Sequence, residues 1–326
     1  MYEECFKIGI CADIQYADKL NHEFVDEFGR TRVCFYKNSI EHVKAAVQYW
    51  KNHKVDIIVQ LGDLIDGYKN SESDSIRDLH HVLSLFNTTT SIPLLHVLGN
   101  HCRSVSKSIL KETLFSHPIN NDNDAFYYAY KPHPKWKFIV LNGAEISTGA
   151  IDSDFHENQE YDRLCEKYSV DSKFRNGWTG IISEIQSEWL ESELESSRHE
   201  NEYVLVFCHY PICGNGENAS PKSHLLANSD VILEIMNKYS DIILAFLSGH
   251  DHIGSYTEFK SIHHITLPSI LEFDPNKSTM PEENPGNPFH ILSVQIHKET
   301  GYPQLATIHQ PLVIQSVVFT NFSKNP

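Results

Sequence analysis

An α/β fold, two packed sheets with helices outside, is predicted by three features of this 326-residue sequence. Strand and helix patterns alternate up to about residue 100. The later part is rich in strands with little helix between them, and early alternation with a strand-rich end fits sheets packed face to face under helices. Five apolar, strand-forming runs end in clusters of Asp, Asn, Gln and His, as expected where strand ends meet to hold a ligand.

The first run, Phe6–Ala12, ends in Asp13-Ile14-Gln15. A long loop follows, then Ser39–His53, where Ile40, Val43, Val47 and Trp50 fall at the spacings of an amphipathic helix. Val55–Leu61 leads into Gly62-Asp63-Leu64-Ile65-Asp66, and the glycine permits a tight turn out of the strand. Pro93–Leu98 leads into Gly99-Asn100-His101, and residues 137–142 form another strand. The polar stretch from Ser147 to Asn176 is too long for a simple connection. An insertion on the substrate side, at about 147–180, is expected there. Ser183 with Gln186 three residues on predicts a capping box, opening a helix whose buried side carries Ile185, Trp189 and Leu194. Tyr203–Cys208 leads into His209-Tyr210-Pro211, and Ile242–Leu247 into Gly249-His250-Asp251-His252. Residues 262–267, 290–296 and 312–319 complete the strands. With no repeat, low-complexity tract or linker, one domain over 1–326 is expected.

A composition of 40% hydrophobic and 21% charged residues is that of an ordinary globular protein. No apolar run approaches the ~18 residues of a spanning helix. The start, Met1-Tyr2-Glu3-Glu4-Cys5, lacks the basic and apolar regions of a signal peptide, so a cytoplasmic protein without membrane contact is expected. Seven cysteines with no CxxC pair do not make a disulfide framework. Cys11 and Cys208, inside apolar strands, read as small buried hydrophobes. The formal charge of −16 argues against a nucleic-acid partner. An acidic protein can still take an anionic substrate if bound cations dominate the local field. Nothing in the chain calls for a partner subunit, and a monomer is expected.

Taken singly, the clusters have ordinary explanations: a turn-forming Asp, a helix cap, a chance His-x-His among 20 histidines. The pairs His80-His81 and His263-His264 show how easily such chance arises; neither follows a strand end with glycine, and both are read as non-ligands. Together, in this order and each after a strand, the clusters offer oxygen and imidazole donors suited to hard or borderline cations. An Asn amide is a reasonable neutral metal ligand, and the His beside Asn100 then points toward substrate. A double metal site is the expectation.

These clusters resemble the calcineurin-like metallophosphoesterase superfamily, whose pattern is D-x-[H/Q], G-D-x-x-D, G-N-H-[D/E], H and G-H-x-H, from Phe6 to about Tyr256. The resemblance implies a four-layer α/β/β/α sandwich of two mixed sheets flanked by helices. It implies one metal held by Asp13, Gln15, Asp63 and His252, a second held by Asp63, Asn100, His209 and His250, and His101 as the catalytic histidine. Within the superfamily the chain is similar to manganese-dependent ADP-ribose/CDP-alcohol diphosphatases. Gln15 stands where most relatives have His, and Phe28-Gly29-Arg30-Thr31-Arg32 and Gln60–Tyr68 resemble that group's segments.

That likeness implies hydrolysis of a small nucleotide-type substrate by a water activated between two divalent ions, manganese foremost, with iron or zinc admitted by the donor set. Phe28 is the candidate for stacking on the base, Arg32 for meeting a phosphate, and Asp66 for orienting a ligand histidine. Two departures stand out: Cys102 where the superfamily has an acidic residue after Gly-Asn-His, and Asn142 where Asp is frequent. A cyclic-nucleotide phosphodiesterase or a phosphomonoesterase would share the metal centre. A non-enzymatic scaffold should have lost ligands, and none of the seven is missing.

Overall fold

The computed structural model describes residues 2–26, 28–87, 92–115, 125–147, 155–172, 175, 179–216, 219–276, 288–307 and 316–318. In its first part lie β1 (Tyr2–Cys11), β2 (His22–Val25), β3 (Thr31–Cys34), α1 (Ser39–Asn52), β4 (Ile57–Gln60), α2 (Glu72–Asn87) and β5 (Leu94–His96). The middle contains α3 (Lys107–Leu114), β6 (Tyr128–His133), β7 (Trp136–Val140), α4 (Phe155–Lys167), α5 (Glu184–Glu200) and β8 (Tyr203–Phe207). Then come α6 (Ser229–Lys238), β9 (Ile243–Ser248), β10 (Ser255–Phe259), β11 (Ile262–Thr266), β12 (Phe289–His297), β13 (Pro303–Thr307) and β14 (Ser316–Val318).

Two six-stranded sheets result, ordered β14-β13-β12-β1-β4-β5 and β10-β11-β9-β8-β7-β6. Each is mixed. β1, β4 and β5 run parallel while β12 is antiparallel to β1. β7, β8, β9 and β11 run parallel while β6 and β10 are antiparallel edges. The pleat of the second sheet sorts its residues in two: Phe138, Val140, Leu205 and Phe207 enter the core shared with the first sheet. Ile139, Leu141, Val204 and Val206 face α5 and α6, against Leu190, Leu194, Ile232 and Met236. Covered on both faces, these strands read as nearly continuous apolar runs rather than alternating, with Lys137 of β7 paired to Glu193 and Glu202. Helices α1 and α2 flank the other sheet, where Trp50 of α1 is fully buried and donates to the His290 carbonyl at 2.9 Å. This is the four-layer α/β/β/α sandwich.

Several local expectations change. Ser183 Oγ does accept from Gln186 N at 3.0 Å, but the Gln186 side chain does not return to Ser183. It is spent on the main chain of Asn142, and Glu145 takes the Ser183 N–H instead, at 2.9 Å. Drawing Gln186 inward sets the face of α5: Gln186, Leu190, Leu194 and Ser197 are buried, and Ile185 is 72% exposed, not buried. The loop before α1 holds the β2–β3 hairpin. Within the polar stretch after Ser147 lies α4, whose Tyr161, Leu164 and Cys165 pack with Ile146 and Ile181 in a small cluster of their own. Four apolar positions in thirteen residues are too few to announce a helix by periodicity. The strand expected over 312–319 falls mostly outside the described residues, which show β14 toward its end. Among the described residues, no helix is long and apolar enough to cross a membrane.

Candidate metal centre

The parallel strands of both sheets deliver their carboxyl ends to one place. β1 leads to Asp13 and Gln15, β4 to Asp63, β5 to Asn100 and His101, β8 to His209, and β9 to His250 and His252. The chain turns sharply there. Asp13, Gln15, Asp63 and His250 have φ of 50°, 39°, 52° and 67°, a region that non-glycine residues enter rarely and mostly at functional sites. The glycines serve close approach: a Cβ on Gly99 would overlap Asp63 Oδ1, and one on Gly62 would overlap His209 Nδ1.

Each buried carboxylate divides its oxygens between two tasks. Asp13 Oδ2 accepts from His250 N at 2.9 Å, and Asp63 Oδ1 accepts from His101 N at 2.8 Å. Each thereby pins another ligand loop. The remaining oxygens face the centre. Asp13 Oδ1 is buried and accepts no hydrogen bond among the described residues, with His252 Nε2 at 3.5 Å and His209 Nε2 at 4.0 Å. Asp63 Oδ2 lies 3.2 Å from His209 Nε2 and 3.2 Å from the Gln15 amide nitrogen. A half-turn of that amide puts its oxygen in the same place.

The imidazoles are set from behind. His209 Nδ1 donates to the Leu61 carbonyl at 2.8 Å, so a neutral ring presents the lone pair of Nε2. That nitrogen faces Asn100 Oδ1 and His250 Nδ1, each at 3.2 Å, as well as Asp63. His252 Nδ1 donates to Glu272 Oε1 at 2.6 Å, leaving Nε2 toward Asp13 and Gln15. So many acceptors in a buried space require a positive charge among them. Asp63, His209 and His250 alone bring three donor atoms within 4.8 Å of one another. Divalent cations fit this donor set.

Protons show the same demand. Burial favours a neutral His209, but the Asp63 and Asp13 carboxylates outweigh it and hold the ring up at about 9. Burial likewise opposes charge on His252, and Asp13 and Glu272 raise it to about 10. His250, buried and beside His209, is pushed well below its ordinary value. Desolvation would raise Asp63, yet the surrounding imidazoles drive it below the usual carboxylate range.

All seven expected ligands therefore converge. One other expectation is corrected. Asp66 does not orient a ligand histidine: its Oδ1 lies 3.3 Å from His101 Nδ1, and its own carbonyl accepts from that nitrogen at 2.8 Å. Lys19 pairs with the other carboxylate oxygen and donates to the Gly67 carbonyl at 2.6 Å. The acidic support that Cys102 cannot give thus reaches His101 from the preceding cluster. Cys102 points inward, where burial and the nearby Asp63 charge push its thiol up to about 12. Arg32 lines the cavity, but its guanidinium is engaged with Glu272 through two bonds of 2.6 Å.

The cavity beside the centre has a volume of about 820 Å³, and Gln15, Asn100, His101, His250 and His252 reach it. Its rim is apolar: Phe28, Val25 and Ile253 are 60%, 66% and 45% exposed. No described residue of 147–180 lines it. Glu272 and His224 do, and both went unnoticed in the sequence. For Glu272 a signal existed, a lone carboxylate after the apolar run Ile270-Leu271. Such an acid is seldom buried unpaired. His224 sits in a short turn with no pattern to mark it.

A four-layer sandwich whose strand ends gather two carboxylates, two amides and three imidazoles defines a two-metal phosphoesterase. The chain belongs to the calcineurin-like phosphoesterase family, whose model matches residues 6–254, and is a metal-dependent hydrolase. It is similar to proteins named manganese-dependent ADP-ribose/CDP-alcohol diphosphatase. The one from Arabidopsis thaliana is 30% identical over 288 residues, 83% of this chain and 88% of its own. The one from Danio rerio is 27% identical over 305 residues, 85% of this chain and 91% of its own. A dimetal phosphatase crystal structure from Danio rerio, 23% identical, shares the fold with a TM-score of 0.78 over 98% of this chain and 100% of its own.

Proposed function

We propose that this chain hydrolyses the diphosphate bond of nucleoside diphosphate esters such as ADP-ribose and CDP-alcohols, with manganese as its metal. We place its action in the cytoplasm, as a monomer, with neither nucleic acid nor membrane as partner. The observation that carries the proposal is the exposed Phe28 at the mouth of a cavity that Gln15, Asn100, His250 and His252 of the candidate ligand cluster reach. A nucleotide base offers a flat apolar face to such a ring, and its diphosphate then lies over the floor. The names of the relatives agree.

Held by Asp13, Gln15, Asp63, Asn100, His209, His250 and His252, two divalent cations would supply charge to activate water and neutralise phosphate oxygens. The protein's own groups do the rest. Water adds to one phosphorus, the bridging P–O bond breaks, and two phosphomonoesters leave. A protonated His101 donates through Nδ1 to Asp66 and holds its other N–H on the cavity side, where it can hand a proton to the leaving phosphate oxygen. Phe28 positions the base.

The test is a panel of ADP-ribose, a CDP-alcohol, cyclic AMP and a phosphomonoester, assayed with Mn²⁺ and after chelation. Preferred release of AMP from ADP-ribose or CMP from the CDP-alcohol, abolished by EDTA, is expected. Turnover of cyclic AMP alone would move the assignment to a cyclic phosphodiesterase. Equal activity in EDTA would end the two-metal reading.

A further inference from the structure

His252, the last residue of the ligand series, is held by a side chain from outside the motifs. Its Nδ1 donates to Glu272 Oε1 at 2.6 Å. Glu272 is gripped in turn by Arg32, whose Nε meets Oε2 and whose Nη2 meets Oε1, both at 2.6 Å. The three side chains are mostly buried, at 16%, 13% and 18% exposure for Arg32, Glu272 and His252. A bidentate, charge-assisted pair of this kind fixes direction as well as distance.

The segment that carries Glu272 is stitched to the ligand loops by its main chain. Ser269 N donates to the His252 carbonyl at 3.0 Å, and Leu271 N to the Asp13 carbonyl at 3.0 Å. Phe35 N, just past β3, donates to the Leu271 carbonyl at 2.8 Å. Arg32 itself stands on β3, its guanidinium 5.4 Å from the Phe24 ring across the hairpin. Glu272 and Arg32 thus join the ligand floor to the hairpin that carries Phe28.

We propose that Glu272 is the positioning residue of His252, that Arg32 holds Glu272 in place, and that this chain latches the β2–β3 hairpin to one of the two metal positions. The proposal rests on His252 being a ligand. Metal-binding imidazoles generally donate their other nitrogen to such a partner, and loss of that partner costs 10–100-fold in affinity. It also reassigns Arg32. A guanidinium whose fork is filled by Glu272 screens that carboxylate from an incoming phosphate rather than binding the phosphate itself.

Mn²⁺ binding to the full chain, followed by calorimetry and by the electron paramagnetic resonance of the bound ions, tests this without substrate. The parent should bind two ions and His252→Ala one. Glu272→Gln and Arg32→Gln should keep one ion at parental affinity, which also reports an intact fold. Their other ion should weaken by about 10–100-fold for Glu272→Gln and less for Arg32→Gln. If His252→Ala binds both ions like the parent, the ligand reading falls and the latch with it. If His252→Ala loses one ion while Glu272→Gln and Arg32→Gln bind as the parent does, the latch alone is wrong. A rise in KM for the diphosphate with unchanged metal binding in Arg32→Gln would then return Arg32 to the role of a phosphate contact.

Discussion

The floor and the rim of the cavity are built by different physics. On the floor, Asp13, Asp63 and His209 are fully buried, several ligands sit in strained backbone, and each carboxylate is committed to a neighbouring loop. At the rim, Phe28 stands 60% exposed on a four-residue-stranded hairpin, its face 4.8 Å from the Arg30 guanidinium. The floor is set among buried residues of the shared core, Ala12, Ile14, Leu61 and Leu64 among them. The rim is not. Chemistry is therefore invested in the part that tolerates least, and substrate choice in the part that tolerates most.

The sharpest test of that division is Asp63→Ala. Removing the carboxylate that faces both halves of the centre should abolish activity by several orders of magnitude while a sandwich of this size stays folded. Activity within tenfold of the parent, by a rate assay alongside circular dichroism, would deny Asp63 its central place. His101→Ala lies between floor and rim and should lower kcat by about 10²–10⁴ with both metals retained. An effect on KM alone would make His101 a binding residue. At the rim, Phe28→Ala should raise KM for a nucleotide substrate by about tenfold, as expected for losing roughly 1–3 kcal/mol of stacking, and leave kcat near the parent's. Equal losses on an isolated diphosphate without a base would show that Phe28 supports the floor instead.

The smallest effect concerns protons. Without metal, His209 and His252 titrate near 9 and 10 against an ordinary 6.5. A raised pKa stabilises the fold fully below the unfolded value and loses that stabilisation as pH climbs through the folded one. The metal-free protein should therefore weaken between about pH 6.5 and 10 while the Mn²⁺-loaded form does not. Melting temperatures with and without Mn²⁺ should diverge across that range, and metal binding near pH 7 should release protons. A constant gap would mean the two rings carry no proton when metal is absent.

Much of this was legible beforehand because motifs placed at strand ends are a local property. The apolar runs before Asp13, Asp63, Asn100, His209 and His250 named their own strands, and the parallel strands of the two sheets brought the ends together. Relations between segments distant in sequence were not legible. Asp66 supports His101 rather than a ligand because the chain returns through a turn whose geometry the motif does not encode. Glu272 is 20 residues from His252 and 240 from Arg32, so neither spacing nor periodicity could join them. Ile185 was misplaced because the pull of Gln186 toward Asn142 decides which face of α5 turns inward.

The division of ligands between the sheets has a mechanical meaning. Asp13, Gln15, Asp63 and Asn100 follow strands of one sheet, and His209, His250 and His252 follow strands of the other. Every oxygen or amide donor thus comes from one half of the sandwich and every imidazole from its opposite half. Cations seated between them would act as rivets across the seam, resisting any sliding of one layer over the other. Metal loading should accordingly slow amide exchange in strands that lead to none of these seven residues, β12 and β11 included, and chelation should let the two layers breathe separately.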